Sequence, residues 1–238
     1  MKLPISDRLL ACAGFIAPGD RVADIGCDHG YLSIHLITNG IASSCIASDV
    51  REGPLQSAIR NAKRFGVANN IEFFLSDGVQ NIPRDFDTLV CAGMGGDTMI
   101  HILESAPWLR NDQYRLILQC QSKTPMLRHY LSDSGWAIRD EVVLKDGKFL
   151  YTVMEVIWKP GFPLTTGEWY FPPVIQEKHP TRESAAYYHW VVHGLRIKLA
   201  GQGEHADPEL TEALAELELL ANNPHLCWLK EENNDNRC

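Results

Sequence analysis

The feature that most constrains the fold is a regular alternation of short apolar strands with helices across the first two thirds of the chain. The predicted strands are "RVADI", "SCIASDV", "IEFFLSDG", "FDTLVCAG" and "YRLILQCQ", with helical patterns between most of them. They are followed by "WAIRDEVVLKDGKFLYTVMEVIW", whose central Asp-Gly favours a tight hairpin. Such an order predicts an α/β fold with a doubly wound, mostly parallel sheet and an antiparallel edge strand.

The last third of the chain has a different pattern. A stretch rich in Pro, Gly and Thr begins at Lys159, and residues 183–199 and 208–221 then carry apolar side chains at helical spacing. Two amphipathic helices in sequence predict an antiparallel, coiled-coil-like helical hairpin. We therefore expect an α/β domain over residues 1–159 and a helical hairpin domain over residues 160–238, with the terminal "EENNDNRC" disordered.

Cysteine content and hydropathy indicate the cellular compartment in which the chain works. The 238 residues include seven cysteines, and no two of them form a Cys-x-x-Cys pair. We expect reduced thiols in a cytoplasmic protein rather than a disulfide framework or a zinc knuckle. No run approaches 18 apolar residues, so neither a signal peptide nor a membrane span is expected.

Charge argues against a protein that coats nucleic acid. The formal net charge is −8, and residues 160–238 carry 12 acidic and 6 basic side chains. This balance leaves room for local basic patches.

The turn after the first strand suggests a ligand. In "RVADIGCDHGYLSIHL", two glycines flank Asp28 between a strand and a helix, which is how backbone N–H groups are presented to a ligand. A carboxylate here would repel a pyrophosphate but would suit a cationic nucleoside such as S-adenosylmethionine. A plain strand-to-helix connection would use the same glycines, so the turn alone is weak support.

Two further aspartates end the next two strands. Asp49 ends the second strand, where an acidic residue takes ribose hydroxyls in nucleotide folds, and Asp77 ends the third, where it could accept from an adenine amino group. Single strand-end aspartates usually form turns. Three at one edge of a parallel sheet favour a ligand site. The glycines of "CAGMGGDT" after the fourth strand either let a backbone approach a flat ligand or form a flexible turn.

Five motifs in this order resemble the bacterial tRNA (adenine-22 N1)-methyltransferases, the TrmK family. They are "ADIGCDHGYL", "ASDVREGPLQSAIRNA", "SDGVQNI", "AGMGG" and "LILQ…LRHYL". The resemblance covers about residues 6–158, and it implies a class I (Rossmann-like) methyltransferase fold, S-adenosylmethionine as donor and tRNA as acceptor. One departure is Leu118-Gln119-Cys120-Gln121, where the family has Leu-Gln-Pro-Asn.

The resemblance also implies roles for individual residues. The cofactor-binding residues are expected to be Asp24, Gly26, Asp28, Gly30, Tyr31, Asp49, Val50, Asp77, Gly78 and Gly93. The catalytic residues are expected to be Asp28, Gly93, Met94, Gly95 and Gln119, with the glycine-rich backbone and the glutamines holding the target base.

Methylation of adenine N1 depends on the position of the adenine more than on a general base. Adenine N1 carries an in-plane lone pair, so methyl transfer depends on in-line placement against the donor. His29 is either a base or a structural partner of Asp28. No histidines stand at metal-ligand spacing, so we expect no metal, and we expect a monomer. The alternatives are a methyltransferase for a small molecule or protein, and a non-catalytic nucleoside-binding RNA-interaction module.

Basic residues define a candidate RNA surface. They are Arg60, Lys63, Lys123, Arg128, Lys178, Arg182, Arg196 and Lys198. Most such charges are ordinary solvated surface, but together they could follow phosphates. Residues 176–199 carry four basic and two acidic side chains, whereas the second helix carries Asp207, Glu209, Glu212, Glu216 and Glu218. We therefore expect the first helix to face tRNA and the second to face away.

Overall fold

A computed structural model describes residues 3–161 and 163–230, and its centre is a single seven-stranded sheet. The strands are β1 (Arg21–Ile25), β2 (Ser44–Asp49), β3 (Ile71–Leu75), β4 (Thr88–Gly95), β5 (Arg115–Ser122), β6 (Trp136–Asp146) and β7 (Phe149–Trp158). Their order is β3-β2-β1-β4-β5-β7-β6. Strands β1 to β5 are parallel, and the β6–β7 hairpin joins through antiparallel pairing of β7 with β5.

The predicted doubly wound, mostly parallel sheet is confirmed: β7 runs antiparallel to the other strands and lies beside the edge strand β6. The predicted hairpin is present, and its two turn residues are Gly147 and Lys148, directly after Asp146; Gly147 has the left-handed φ of 62° that such a turn requires. The strand order reverses between β1 and β4, which opens a crevice at the carboxyl ends of these strands.

Helices cover both faces of the sheet. The α/β part contains α1 (Asp7–Gly14), α2 (Tyr31–Thr38), α3 (Glu52–Phe65), α4 (Gly96–Glu104) and α5 (Thr124–Asp133). Helices α1 to α3 bury Cys12, Leu36 and Leu55 in one apolar cluster, while α4 and α5 bury Met99 and Leu131 in another. Helix α5 has Lys123 at its cap position, with a left-handed φ of 60°, and Thr124 is its first residue.

The C-terminal part holds more than a hairpin. It contains α6 (Thr166–Tyr170), α7 (Pro173–Lys178), α8 (Arg182–Gln202) and α9 (Pro208–Leu220). The two long helices confirm the predicted pair. Helix α6 lies in the stretch rich in Pro, Gly and Thr, where Thr165 and Glu168 form a reciprocal capping box.

The C-terminal helices share an apolar cluster with the sheet. Val143 of β6 is buried with Phe171, Tyr188 and Leu217. The division at residue 160 stays a prediction. The terminal octapeptide lies outside the described residues. Among the helices described, none is long and apolar enough to cross a membrane.

Candidate active site

The main cleft lies where the strand order reverses. It has a volume of about 490 Å³ and is bordered by the carboxyl ends of β1, β2 and β4 and by the segment after β3. Most of the residues predicted to bind the cofactor or act in catalysis line it together: Asp24, Gly26, Asp28, Tyr31, Asp49, Val50, Asp77, Gly78, Gly93, Met94 and Gln119. Gly30 and Gly95 do not line it.

The turn after β1 is held by a neighbouring strand end. Gly26, Asp28 and Gly30 all have left-handed backbones, with φ of 72°, 48° and 71°. The backbone N–H of Asp28 donates to Oδ2 of Asp49 over 3.2 Å. The Asp28 side chain is largely exposed to the cleft. A left-handed aspartate with a fixed backbone thus presents its carboxylate to whatever fills the cleft.

Gly30 has a packing role. A Cβ on Gly30 would lie 2.9 Å from the Cβ of Ala58 on α3. Only glycine therefore lets the start of α2 lie this close to α3, and Gly30 positions the turn without lining the cleft.

Asp24 is a buried carboxyl at the floor of the cleft. Ser33 Oγ donates to it over 2.7 Å. Burial raises the pKa of Asp24 from 3.8 to about 6; the Ser33 hydrogen bonds oppose this rise, and the charge of Asp49 adds a smaller increase. A cation in the cleft would favour the ionised form.

Asp49 is nearly buried and fixed by backbone donors. Its Oδ2 accepts from Asp28 N–H and its Oδ1 accepts from Arg51 N–H over 2.9 Å. Val50 beside it is 61% exposed although it is apolar, and it lines the cleft together with the exposed Asp77. An adenosine group has a flat base, a polar ribose and a polar amino group. The apolar Val50 side chain between the carboxylates of Asp49 and Asp77 suits such a group.

Strand β4 is bulged where the glycine-rich segment begins. The register of β4 against β5 shifts on both sides of Met94, and Gly93 has a φ of 81°. The Gly93 N–H donates to Oε1 of Gln119 over 3.0 Å, in place of a ladder bond. A Cβ on Gly26 would clash with Met94 Cε, so the bulge reaches across to the first turn.

Gln119 holds the bulge of β4. Its Nε2 donates to Cys120 O over 3.2 Å while its Oε1 accepts from Gly93, and the side chain is buried. The predicted contact of Gln119 with the acceptor stays a prediction, and Gln121 is the exposed glutamine of the cleft.

The two predicted roles of His29, a base or a structural partner of Asp28, both stay predictions. Its Nε2 lies 3.7 Å from Asp28 Oδ2, and both side chains are half exposed.

Sequence reasoning missed the contribution of helices α1 and α4. Ser6, Arg8 and Leu9 line the cleft from α1 and its cap, and Thr98 and Ile102 line it from α4. The α1 residues are distant in sequence from the glycine-rich turns, whereas Thr98 and Ile102 follow the glycine-rich segment directly on α4.

The predicted RNA-binding residues fall into different environments. Arg60, Lys63, Lys123, Lys178, Arg182 and Lys198 are exposed. Arg196 is exposed too, but its Nη2 forms an ion pair of 2.8 Å with Glu218 of α9. This pairing shows that the positive face of α8 is partly neutralised by the acidic helix.

The prediction that Arg128 contacts RNA is wrong. Its side chain is 0% exposed and forms an ion pair of 2.6 Å with Glu141. It also donates to the carbonyl oxygens of Trp169 and Tyr170 and to the hydroxyl of Tyr187. A residue enclosed in this way cannot reach a phosphate, so its role is to tie α5 and β6 to the C-terminal helices.

The described residues provide neither a metal site nor a reactive thiol at the cleft. Within residues 3–161 and 163–230, no group of three or more potential ligands is placed to hold a metal ion. The six cysteines that the structure describes are unpaired. Burial raises the pKa of the Cys27 and Cys91 thiols well above the ordinary range, so neither is a nucleophile at neutral pH.

A family model described as a methyltransferase domain matches residues 5–154. The chain belongs to this family. The doubly wound sheet with its antiparallel edge and the cleft at the strand-order reversal are the Rossmann-like fold that the sequence motifs implied.

Individual relatives show which methyltransferases the chain is similar to. The tRNA (adenine(22)-N(1))-methyltransferase of Bacillus subtilis is 35% identical over 154 residues, which are 64% of this chain and 65% of that protein. The chain thus spans just under two thirds of the length of the curated relatives that it matches.

Solved structures match over nearly the whole chain. The B. subtilis tRNA (m1A22) methyltransferase TrmK has a TM-score of 0.76 at 28% identity and covers 97% of this chain and 99% of its own. A candidate tRNA (m1A22) methyltransferase of Streptococcus pneumoniae in complex with S-adenosyl-L-methionine has a TM-score of 0.80 at 28% identity, covering 91% and 99%. The resemblance to the TrmK family is confirmed.

Proposed function

We propose that this protein transfers the methyl group of S-adenosylmethionine to N1 of an adenine in tRNA, at position 22. The observation that carries the proposal is the cleft in which the carboxylates of Asp28, Asp49 and Asp77 converge beside the bulged Gly-Met-Gly segment. The relatives' names support the same donor and acceptor.

The residues of the cleft fit S-adenosylmethionine. Asp49 keeps lone pairs free beyond its two backbone donors and can accept from ribose hydroxyls. Val50 offers an apolar surface for the adenine ring, and Asp77 can accept from the adenine amino group. The carboxylates of Asp24 and Asp28 suit the cationic methionine end, whereas a pyrophosphate would meet Asp28.

The bound donor supplies an electrophilic methyl group on a sulfonium. The chain's own residues then have to hold the acceptor base in line with it. Gly93 is exposed and bulged, so a flat base can approach the backbone closely there, and Gln119 fixes the bulge from beneath. Adenine N1 needs no deprotonation, so no residue has to act as a strong base.

The C-terminal helices are the part of the chain we assign to tRNA. Lys123, Lys178, Arg182 and Lys198 lie exposed around or on them. Residues 160–238 then form the tRNA-contacting unit beside the methyltransferase domain. A tRNA substrate implies action in the cytoplasm. A monomeric, metal-free enzyme stays our prediction.

The test is incubation of the full chain with methyl-labelled S-adenosylmethionine and bulk bacterial tRNA, followed by digestion to nucleosides. We expect the label in 1-methyladenosine. Asp49→Ala serves as the control for donor binding, since it removes the proposed ribose acceptor. Label in protein or in a small molecule in parallel incubations, with none in tRNA, would favour the alternative acceptors. Donor binding without any transfer would favour the non-catalytic module.

A further inference from the structure

A second groove adjoins the main cleft. It has a volume of about 330 Å³ and lies between the end of β5, the beginning of β7 and helix α8. Gln121 lines both the groove and the cleft, so the two are neighbours on one surface.

The floor of the groove carries an unsatisfied hydroxyl. Thr152 on β7 is 2% exposed, and its Oγ1 finds no hydrogen-bond partner in the described part of the chain. A buried polar atom without a partner costs free energy, so such atoms are rare unless something outside the chain completes them. A hydroxyl both donates and accepts, so it can pair with a polar edge of a ligand.

One wall of the groove is aromatic. Trp190 on α8 is 64% exposed, which is unusual for so large an apolar side chain. Its ring lies 5.8 Å from that of Tyr187, tilted by 30°, and Tyr170 lines the same groove. An exposed indole beside other rings is a stacking surface for a flat ligand.

The rim of the groove is positive in an acidic protein. Lys123 and Lys198 line it, and no acidic side chain among the described residues does. Lys123 pairs with Asp97 at 3.1 Å on its outer side. Lys198 is exposed on α8. The net charge of the whole chain is −8, so this local charge favours an anion at the rim.

We propose that this groove binds a second nucleobase of the tRNA, from a nucleotide close in the folded RNA to the methylated adenine. The base would stack on Trp190 with an edge on the Thr152 hydroxyl, and its phosphates would lie by Lys123 and Lys198. This inference rests on the proposed function, and it adds a base-binding subsite outside the methyl-transfer cleft. Because a hydroxyl pairs with either donors or acceptors, the subsite reads a flat base rather than one particular base.

The first test compares Trp190→Ala, Trp190→Phe and Ile197→Ala in the full chain. Ile197 lies on the same helix, is 60% exposed and does not line the groove, so it is the matched control. Loss of stacking should weaken tRNA affinity by roughly 5- to 100-fold in Trp190→Ala, and Phe should restore most of it. Affinity is measured with protein saturated with S-adenosylhomocysteine, so the readout does not depend on turnover.

The second test is Thr152→Val, which removes only the hydroxyl. We expect a several-fold rise in KM for tRNA, an unchanged affinity for S-adenosylmethionine and an unchanged or higher Tm. A structural hydroxyl would instead lower Tm without changing KM.

The outcomes separate the two proposals. Equal tRNA affinity of Trp190→Ala and Ile197→Ala, in a wild-type protein that methylates tRNA, would overturn the base subsite alone. Wild-type protein that neither binds nor methylates tRNA would overturn the proposed function as well. A groove that serves a protein partner would leave both variants with wild-type tRNA kinetics, which also overturns the subsite.

Discussion

Oδ2 of Asp49 accepts the backbone N–H of Asp28 over 3.2 Å, so the end of β2 holds the turn that follows β1. The two aspartates are 21 residues apart, and each faces the same cleft. Asp49 therefore both supports this turn and presents free lone pairs to a ribose.

Replacement of Asp49 by alanine should therefore weaken S-adenosylmethionine binding by about 1–3 kcal/mol, because hydrogen bonds to a charged group are lost. Calorimetry measures the affinity directly. Asp49→Asn keeps an acceptor for the Asp28 N–H and should lie between alanine and wild type. An unchanged affinity in Asp49→Ala would remove this residue from the cofactor site.

The buried Asp24 predicts a pH dependence of stability. Its pKa in the folded chain is raised from 3.8 to about 6, mainly by burial, so the folded state holds the proton more tightly than the unfolded state. The stability that this group contributes is present below about pH 4 and is lost as the pH rises through 6. Asp24→Asn should be nearly as stable as wild type at pH 4.

At pH 7 the Asn variant should gain about 2–3 kcal/mol over wild type in the absence of ligand, since it carries no buried charge. Urea denaturation at several pH values gives the difference. A constant gap between the two proteins from pH 5 to pH 8 would show that Asp24 does not titrate in this range.

The Arg128–Glu141 pair predicts a large stability effect without direct contact to RNA. Both side chains are fully buried, so Arg128→Met leaves Glu141 uncompensated and should cost about 3–5 kcal/mol. The double variant Arg128→Met with Glu141→Leu should recover most of that loss. Thermal denaturation compares the three proteins. A stable Arg128→Met protein with weakened tRNA binding would restore the phosphate-contact role we have set aside.

These contacts also change how the C-terminal helices can be tested. Arg128 donates to the carbonyls of Trp169 and Tyr170, and Val143 is buried against α8 and α9. Removal of residues from about 161 onward would leave a buried charge and an apolar strand face exposed. Surface charge variants in the full chain are therefore the better probe of tRNA binding.

Salt dependence is such a probe. Lys123→Gln with Lys198→Gln should weaken tRNA binding and reduce the slope of log affinity against log salt by about 1 to 2, because each phosphate contact releases counterions. Arg196→Gln is the matched control, since Arg196 lies on the same helix as Lys198 but does not line the groove. Equal slopes in the double variant and the control would place the RNA elsewhere on the surface.

The sequence was most informative where local pattern and tertiary structure agree. Alternating apolar segments, the Asp-Gly turn and the strand-end aspartates predicted the sheet, the hairpin and most of the cleft, because ligands bind at the carboxyl ends of parallel strands. The prediction failed for Arg128, since its spacing beside the β5 exit resembles a surface position and only the fold shows Glu141 opposite it.

Other parts depend on contacts that no local pattern records. Gln119 accepts the Gly93 N–H because β4 is bulged there. Ser6 and Leu9 reach the cleft because α1 packs near β4, which the sequence of α1 does not announce. The groove around Thr152 combines β5, β7 and α8, so it exists only once the C-terminal helices have packed on the sheet.

Methyl transfer to one adenine of one tRNA tests the account most directly. A transcript of a bacterial tRNA with adenine at position 22, and the same transcript with guanine there, are incubated with S-adenosylmethionine and the full chain. Reverse transcription then maps the product, because a methyl group on N1 blocks base pairing. The account predicts a stop at position 22 in the adenine transcript and none in the guanine transcript. Equal methylation of both transcripts, or no stop at position 22, would contradict it.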